Sequence, residues 1–243
     1  MPDHLRLFGL VHLIILAAVP LLAATLAAVQ RRLGPGARGI RYGLATLLFL
    51  CFVLYYGYSA LQGEQMFPNH MPLELCDASL WLVIVALLTL KPAVFDLAYY
   101  YALAGASMSL LTPILTETSP LFVSTQYFCD HGLIVVSVLY LVWSGQARPR
   151  MGSVGRAMLA LNIYAVFVGT FDALCGTNYM YLRAKPQTDS LLTIFGPWPW
   201  YILVSELVGL TLFLLLYLPF RKQPAPFMEP SPLPAQSTAQ TDS

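Results

Sequence analysis

The sequence predicts an all-α fold, a polytopic membrane bundle of about seven transmembrane helices with its N-terminus outside and its C-terminus in the cytoplasm. Three observations predict it. Apolar residues make up 58% of the chain and charged residues only 10%, against about 25% charged in a soluble domain. The apolar residues gather into runs close to the roughly 20 that a spanning helix needs. Lysine and arginine fall mostly between alternate runs, as they do in cytoplasmic loops.

The first run, LFGLVHLIILAAVPLLAATLAAV, places a helix over 6–29. It is too long for a cleaved signal peptide and QRR follows it directly, so a retained helix is expected. Further spans follow over 40–61, 73–90, 94–115, 126–144, 157–176 and 200–219. The third is the shortest, and the fourth is interrupted by Gly105, Ser107, Ser109 and Pro113. Two spans carry small-residue faces, which let helices approach closely in lipid. They are Ala98, Ala102, Gly105, Ser109 and Pro113 in the fourth, and Asn162, Gly169 and Gly176 in the sixth, with Asp172 on the same side. Residues 223–243 are rich in Pro, Ser, Thr and Gln and are expected to form a disordered tail, leaving 1–222 as one transmembrane domain.

Orientation follows from the basic residues. Arg31, Arg32, Arg38, Arg41, Lys91, Arg148, Arg150, Arg156, Arg221 and Lys222 lie on one side; only Arg6, Arg183 and Lys185 lie on the other. The richer side is cytoplasmic. The net charge of +1 argues against nucleic acid as a partner. There is no dinucleotide or Walker motif, and Cys51, Cys76, Cys129 and Cys175 form no CxxC pair. No metal and no cofactor are expected; membrane lipids are the expected partners.

On this topology the unusual polar residues collect at the outer face. Glu74, Cys76 and Asp77 open the third span, Cys129, Asp130 and His131 lie early in the fifth, and Asp172, Cys175 and Asn178 close the sixth. Charged groups near hydrocarbon are costly and mark functional sites. Three chemistries fit the cluster. Cys76 is a candidate nucleophile, with His131 as its base and Asp130 or Asp172 orienting the histidine. Alternatively the cluster is structural, with Cys129 and Cys175 as a disulfide and His131 in a network with Asp77. A Cys, Asp and His metal site is the third, but no ligand spacing supports it. Tyr55, Tyr56 and Tyr58 read as an interfacial aromatic belt, as do Trp198, Trp200 and Tyr201 in GPWPWY. In YLRAKP, Arg183 and Lys185 oppose the charge rule, and lipid phosphate is a natural partner for them.

The blocks MPLELCD, LLTPIL, YFCDHGLIVV, GTNYMYLRAKP and GPWPWYI, in that order, resemble the YwaF-like bacterial integral membrane proteins over 40–220. One departure is YYYALAG, where an aromatic-Phe-Trp-Gly stretch belongs, so no role of that tryptophan carries over. Those proteins are similar in turn to the eukaryotic transmembrane-protein-164 family of cysteine-dependent phospholipid acyltransferases. The resemblance implies a multi-pass protein of the bacterial plasma membrane, with the motif's cysteine on Cys76 and its histidine on His131. The expected function is acyl transfer or acyl hydrolysis on lipid esters at the outer leaflet. Cys76, His131, Asp130 and Asp172 are then the catalytic candidates, and Asn178, Arg183, Lys185, Glu74 and Asp77 the substrate-binding ones. The alternative is a non-enzymatic protein that binds or transports a lipid or small solute through the same polar pocket.

Overall fold

The computed structural model describes residues 7–34, 36–113, 115, 120–186 and 190–222. The expected tail at 223–243 lies outside these residues, as does Arg6. The described residues form helices and no strands. The long helices are α1 (Leu10–Leu33), α2 (Gly39–Leu61), α3 (Leu75–Thr89), α4 (Pro92–Leu111), α5 (Leu121–Trp143), α6 (Ser153–Cys175) and α7 (Trp200–Tyr217).

Six of the seven are long and apolar enough to cross a membrane; α3 is not. Its 15 residues span about 22 Å at 1.5 Å per residue, against a hydrocarbon core of about 30 Å. The sequence explains both ends. Pro68 and Pro72 precede it, and proline cannot donate to a preceding helical turn. At its other end Leu90 turns left-handed, with φ 54°, and Pro92 then starts α4. The expected span over 73–90 is therefore a short helix set into the bundle.

α5 is central, packing on α1, α2, α3 and α4. Tyr140, Leu141, Val138 and Ile134 on it are fully buried. α4 carries a π-helical turn over Tyr101–Ala106; such turns are frequent at functional sites. The three tyrosines of YYYALAG supply three inter-helix bonds. Tyr99 Oη donates to the Leu216 carbonyl at 2.9 Å and Tyr101 Oη to the Ala157 carbonyl at 2.8 Å. Tyr100 and Ser153 share a 2.7 Å hydrogen bond. In lipid no water competes for these hydroxyls, so each needs a protein partner.

His12, inside α1, is fully buried. Its Nδ1 accepts the Phe8 N–H at 2.9 Å, so its Nε2 carries the proton and donates to the Leu110 carbonyl at 2.8 Å. That satisfies one of the carbonyls left open at the end of α4. The far end of the bundle holds an ion cluster. Asp96, fully buried, accepts from Arg150 Nε, Nη2 and N–H and from Arg156 Nη2 at 2.7–3.0 Å. Two guanidinium groups and a backbone donor supply the hydrogen bonds that a carboxylate out of reach of water needs.

Candidate functional site

Where α3 begins, a cavity of about 380 Å³ opens between α2, α3, α5 and the segment after α6. Cys76, His131, Glu74, Asp77 and Asp130 all border it. Residues 55 positions apart in the chain thus share one wall, because α3 and α5 pack side by side.

Local sequence sets each side chain. Glu74 sits just ahead of α3 and Asp77 in its first turn, where Asp77 Oδ2 accepts the Glu74 N–H at 3.1 Å. With the Glu74 side chain facing the Asp77 backbone in return, this is a capping box, and the helix dipole favours negative charge there. Glu74 Oε2 in turn accepts the Met180 N–H at 3.0 Å, tying α3 to the segment after α6. Burial pushes the Glu74 carboxyl up to about 7, with the Met180 bond acting against it and the neighbouring Asp77 charge adding to it. Cys76 is half-buried and is a free thiol.

His131 is 5% exposed. Its Nδ1 lies 2.8 Å from the Tyr127 carbonyl, one helical turn earlier, and its ring lies against that of Tyr127. A carbonyl only accepts, so Nδ1 carries the proton and Nε2 is left as an acceptor. The orienting partner of the histidine is therefore the Tyr127 carbonyl, not Asp130 or Asp172. Asp130 borders the cavity with a buried Oδ1 that has no hydrogen-bond partner among the described residues. No hydrogen bond joins Cys76 to His131 among those residues, although both border the cavity.

Asp172 does not border the cavity. It is fully buried and holds the chain after α6: Oδ1 accepts from Thr177 Oγ1 at 2.6 Å and from the Tyr179 N–H at 3.0 Å. Tyr179 then accepts the Met71 N–H and donates to the Pro68 carbonyl, both at 2.7 Å. The three loop residues expected to contact substrate are also spent on structure. Asn178 Oδ1 accepts from the Arg183 and Ala184 N–H groups, and its Nδ2 donates to Ala184 O. Arg183 Nη1 donates to the Asp172 and Thr177 carbonyls where α6 ends, and Lys185 Nζ bonds Thr193 O above the Tyr201 ring. None of the three borders the cavity.

Sequence reasoning missed the tyrosines. Tyr55 and Tyr56, taken for belt, border the cavity with Tyr127, Tyr179 and Tyr181. Tyr58 instead packs on Phe122. Tyr55, Tyr56 and Tyr127 lie one to two turns inside helix ends at the same side of the bundle as Glu74 and Asp77, and Tyr179 and Tyr181 lie in the segment that follows α6. Glu206 was missed as well. Half-buried in mid-α7, it accepts from Asn162 Nδ2 at 3.1 Å. All four cysteines are free thiols, Cys129 exposed and Cys175 half-buried, so the Cys129–Cys175 disulfide of the structural alternative is not formed. Among the described residues no three His, Cys, Asp or Glu side chains converge as metal ligands do.

Comparison with known proteins gives one family. The profile of the TMEM164 family matches residues 3–217. The chain is also similar to an uncharacterized protein of Treponema pallidum (strain Nichols), 27% identical over 223 residues, covering 88% of this chain and 89% of that one. No solved structure matches.

Proposed function

This chain belongs to the TMEM164 family, and from that premise and the cavity beside α3 we propose that it is an integral membrane enzyme acting on lipid acyl esters, with Cys76 as nucleophile and His131 as base. The observation that carries the reading is the shared wall: a free thiol and an imidazole with an acceptor nitrogen border one cavity in a membrane bundle. The resemblance of MPLELCD and YFCDHGLIVV to the acyltransferase blocks points to the same two residues. The shortness of α3 adds support. The acyl-transfer reading needs Cys76, in the first turn of α3, at the depth of the ester groups of one leaflet, and a helix of about 22 Å in a core of about 30 Å leaves room for a lipid headgroup or water to enter at one end. By the distribution of basic residues, that leaflet is the outer one.

In the first half-reaction His131 Nε2 takes the thiol proton as sulfur attacks the ester carbonyl carbon. The carbon–oxygen bond breaks, the departing lysolipid oxygen takes the proton from His131, and a thioester remains on Cys76. In the second, the hydroxyl of an acceptor lysolipid, or water, gives its proton to His131 and attacks the thioester. The carbon–sulfur bond breaks and the thiol is restored. The oxyanion needs donors. Asn178 has committed its amide to Ala184, so the open N–H groups in the first turn of α3 are the better candidates. The Cys76–His131 bond forms when substrate fills the cavity, as catalytic hydrogen bonds often do.

The test is reconstitution with a phospholipid labelled in one acyl chain. Cys76→Ala abolishes transfer and release of the label, and His131→Ala lowers both by about 10²–10⁴-fold. Activity that survives both substitutions overturns the reading. The competing reading, a cation or solute site, draws on Glu74, Asp77 and Asp130 in one cavity. An electrophilic lipid analogue separates the two: it labels Cys76 in an enzyme and spares it in a transporter.

A further inference from the structure

A second and larger hollow, of about 600 Å³, lies between α4, α6 and α7, a size typical of small-molecule sites, which run to roughly 300–1,000 Å³. Its walls are apolar and its floor is made of small residues: Ala104 and Gly105 of the π turn, Ala165 and Gly169 of α6, and Gly209 of α7. The π turn and the small residues together open the slot. Leu203 and Val208 on its rim, and Val166 opposite, are exposed, so in a membrane the slot opens to lipid. Its one acid, Glu206, is already bonded to Asn162.

The groove lies beside the cavity that holds Cys76. Tyr181 borders both hollows. Leu75 and Met180 line the groove, while Cys76 and Tyr179, their chain neighbours, line the cavity. Along α7 the groove extends from Tyr201 to Leu212, about 17 Å at 1.5 Å per residue. That is close to half of the roughly 30 Å hydrocarbon core, the depth of a single leaflet.

We propose that this groove holds one acyl chain of the lipid whose ester lies at Cys76. The ester half rests on the acyl-transfer reading; the tail half rests on the groove alone. A lipid tail gains no hydrophobic energy by leaving the bilayer for a protein slot, since both are equally apolar. The groove therefore acts by shape. It aligns a tail whose ester end is held in the cavity, and alignment of the reacting group is a large part of catalysis. Tail length is then read by the far end of the slot, at Leu212 and Phe213.

The experiment places the full-length protein, wild type and Cys76→Ala, in phosphatidylcholine vesicles. These contain a phosphatidylcholine with a diazirine near the end of one acyl chain; after irradiation the adducts are mapped by mass spectrometry. Adducts concentrate on Met158, Leu212 and Phe213 in both proteins, above those on the exposed Leu13, Leu21 and Phe49 of α1 and α2. Gly209→Phe fills the slot and lowers the groove adducts severalfold; a Cβ at Gly209 meets nothing within 4 Å, so the backbone tolerates it. If that variant does not fold, chain-length competition on the wild type decides: excess long-chain phosphatidylcholine suppresses the groove adducts and a short-chain one does not. Adducts spread evenly over outward faces overturn the proposal. So does their loss in Glu206→Leu, which would mean that a polar group is being read. Groove adducts in a protein without acyl transfer leave the groove standing and remove the role of Cys76, and transfer with even labelling does the reverse.

Discussion

At Tyr179 one phenol accepts the Met71 N–H and donates to the Pro68 carbonyl, so one side chain joins the segment after α6 to the approach to α3, beside the Glu74–Met180 bond. Tyr179→Phe leaves both backbone groups without their partner, at a cost of about 1–3 kcal/mol, and lowers the unfolding temperature in detergent. Glu74 gives a pH-dependent counterpart. Its carboxyl is held at about 7 against an ordinary 4.5. Across that window the unfolded chain is ionised while the folded chain keeps the proton, so stability falls as pH rises through it. Glu74→Gln still offers an oxygen to Met180 and does not titrate. Its thermal stability relative to wild type rises from pH 4.5 to 7 and is level above, as a scan against pH reports. MPLELCD makes Cys76 and Glu74 legible as unusual residues for a helix start. The tautomer of His131 was not legible, because it depends on a backbone carbonyl that any residue at position 127 would supply.

At the scale of the element, α6 is held at its two ends by different means. At the site end Asp172 and Arg183 satisfy the chain that leaves it. At the far end Arg150 and Arg156 converge on Asp96. The Arg150 side chain gives Asp96 two donors, beside a backbone N–H that a substitution keeps, and the Arg156 side chain gives one. Arg150→Met therefore destabilises more than Arg156→Met, by a margin on the order of 1 kcal/mol for the one extra charged hydrogen bond, measurable by thermal unfolding in detergent. Spans and turns were largely readable, since apolar runs and proline positions fix where helices run. The exceptions were α3, shorter than its apolar run, and the π turn of α4. A π turn leaves the hydrophobic pattern nearly unchanged while moving the following residues around the axis, so Tyr101–Ala106 gave no warning in the sequence.

For the molecule as a whole, the asymmetry of lysine and arginine predicts that a fluorescent protein fused after Ser243 fluoresces in the cytoplasm; a dark fusion that regains signal only outside the membrane reverses the orientation. All four cysteines being free, denaturing alkylation adds four groups with or without prior reduction.

Composition alone determined that this chain lives in a membrane as helices, because 10% charge over 243 residues leaves too little polarity for any other solvent. It also determined that the costly residues gather near one end, since helix order and loop charge fix which ends are neighbours. Which of those residues meet was decided by packing. α3 beside α5 brings Cys76 and His131 to one cavity, while Asn178, Arg183 and Lys185, equally conspicuous in sequence, spend their hydrogen bonds on the chain after α6, and Asp172 gives that chain one carboxylate oxygen. A residue type says what a side chain can bond. Only its neighbours in space say whether those bonds are already taken.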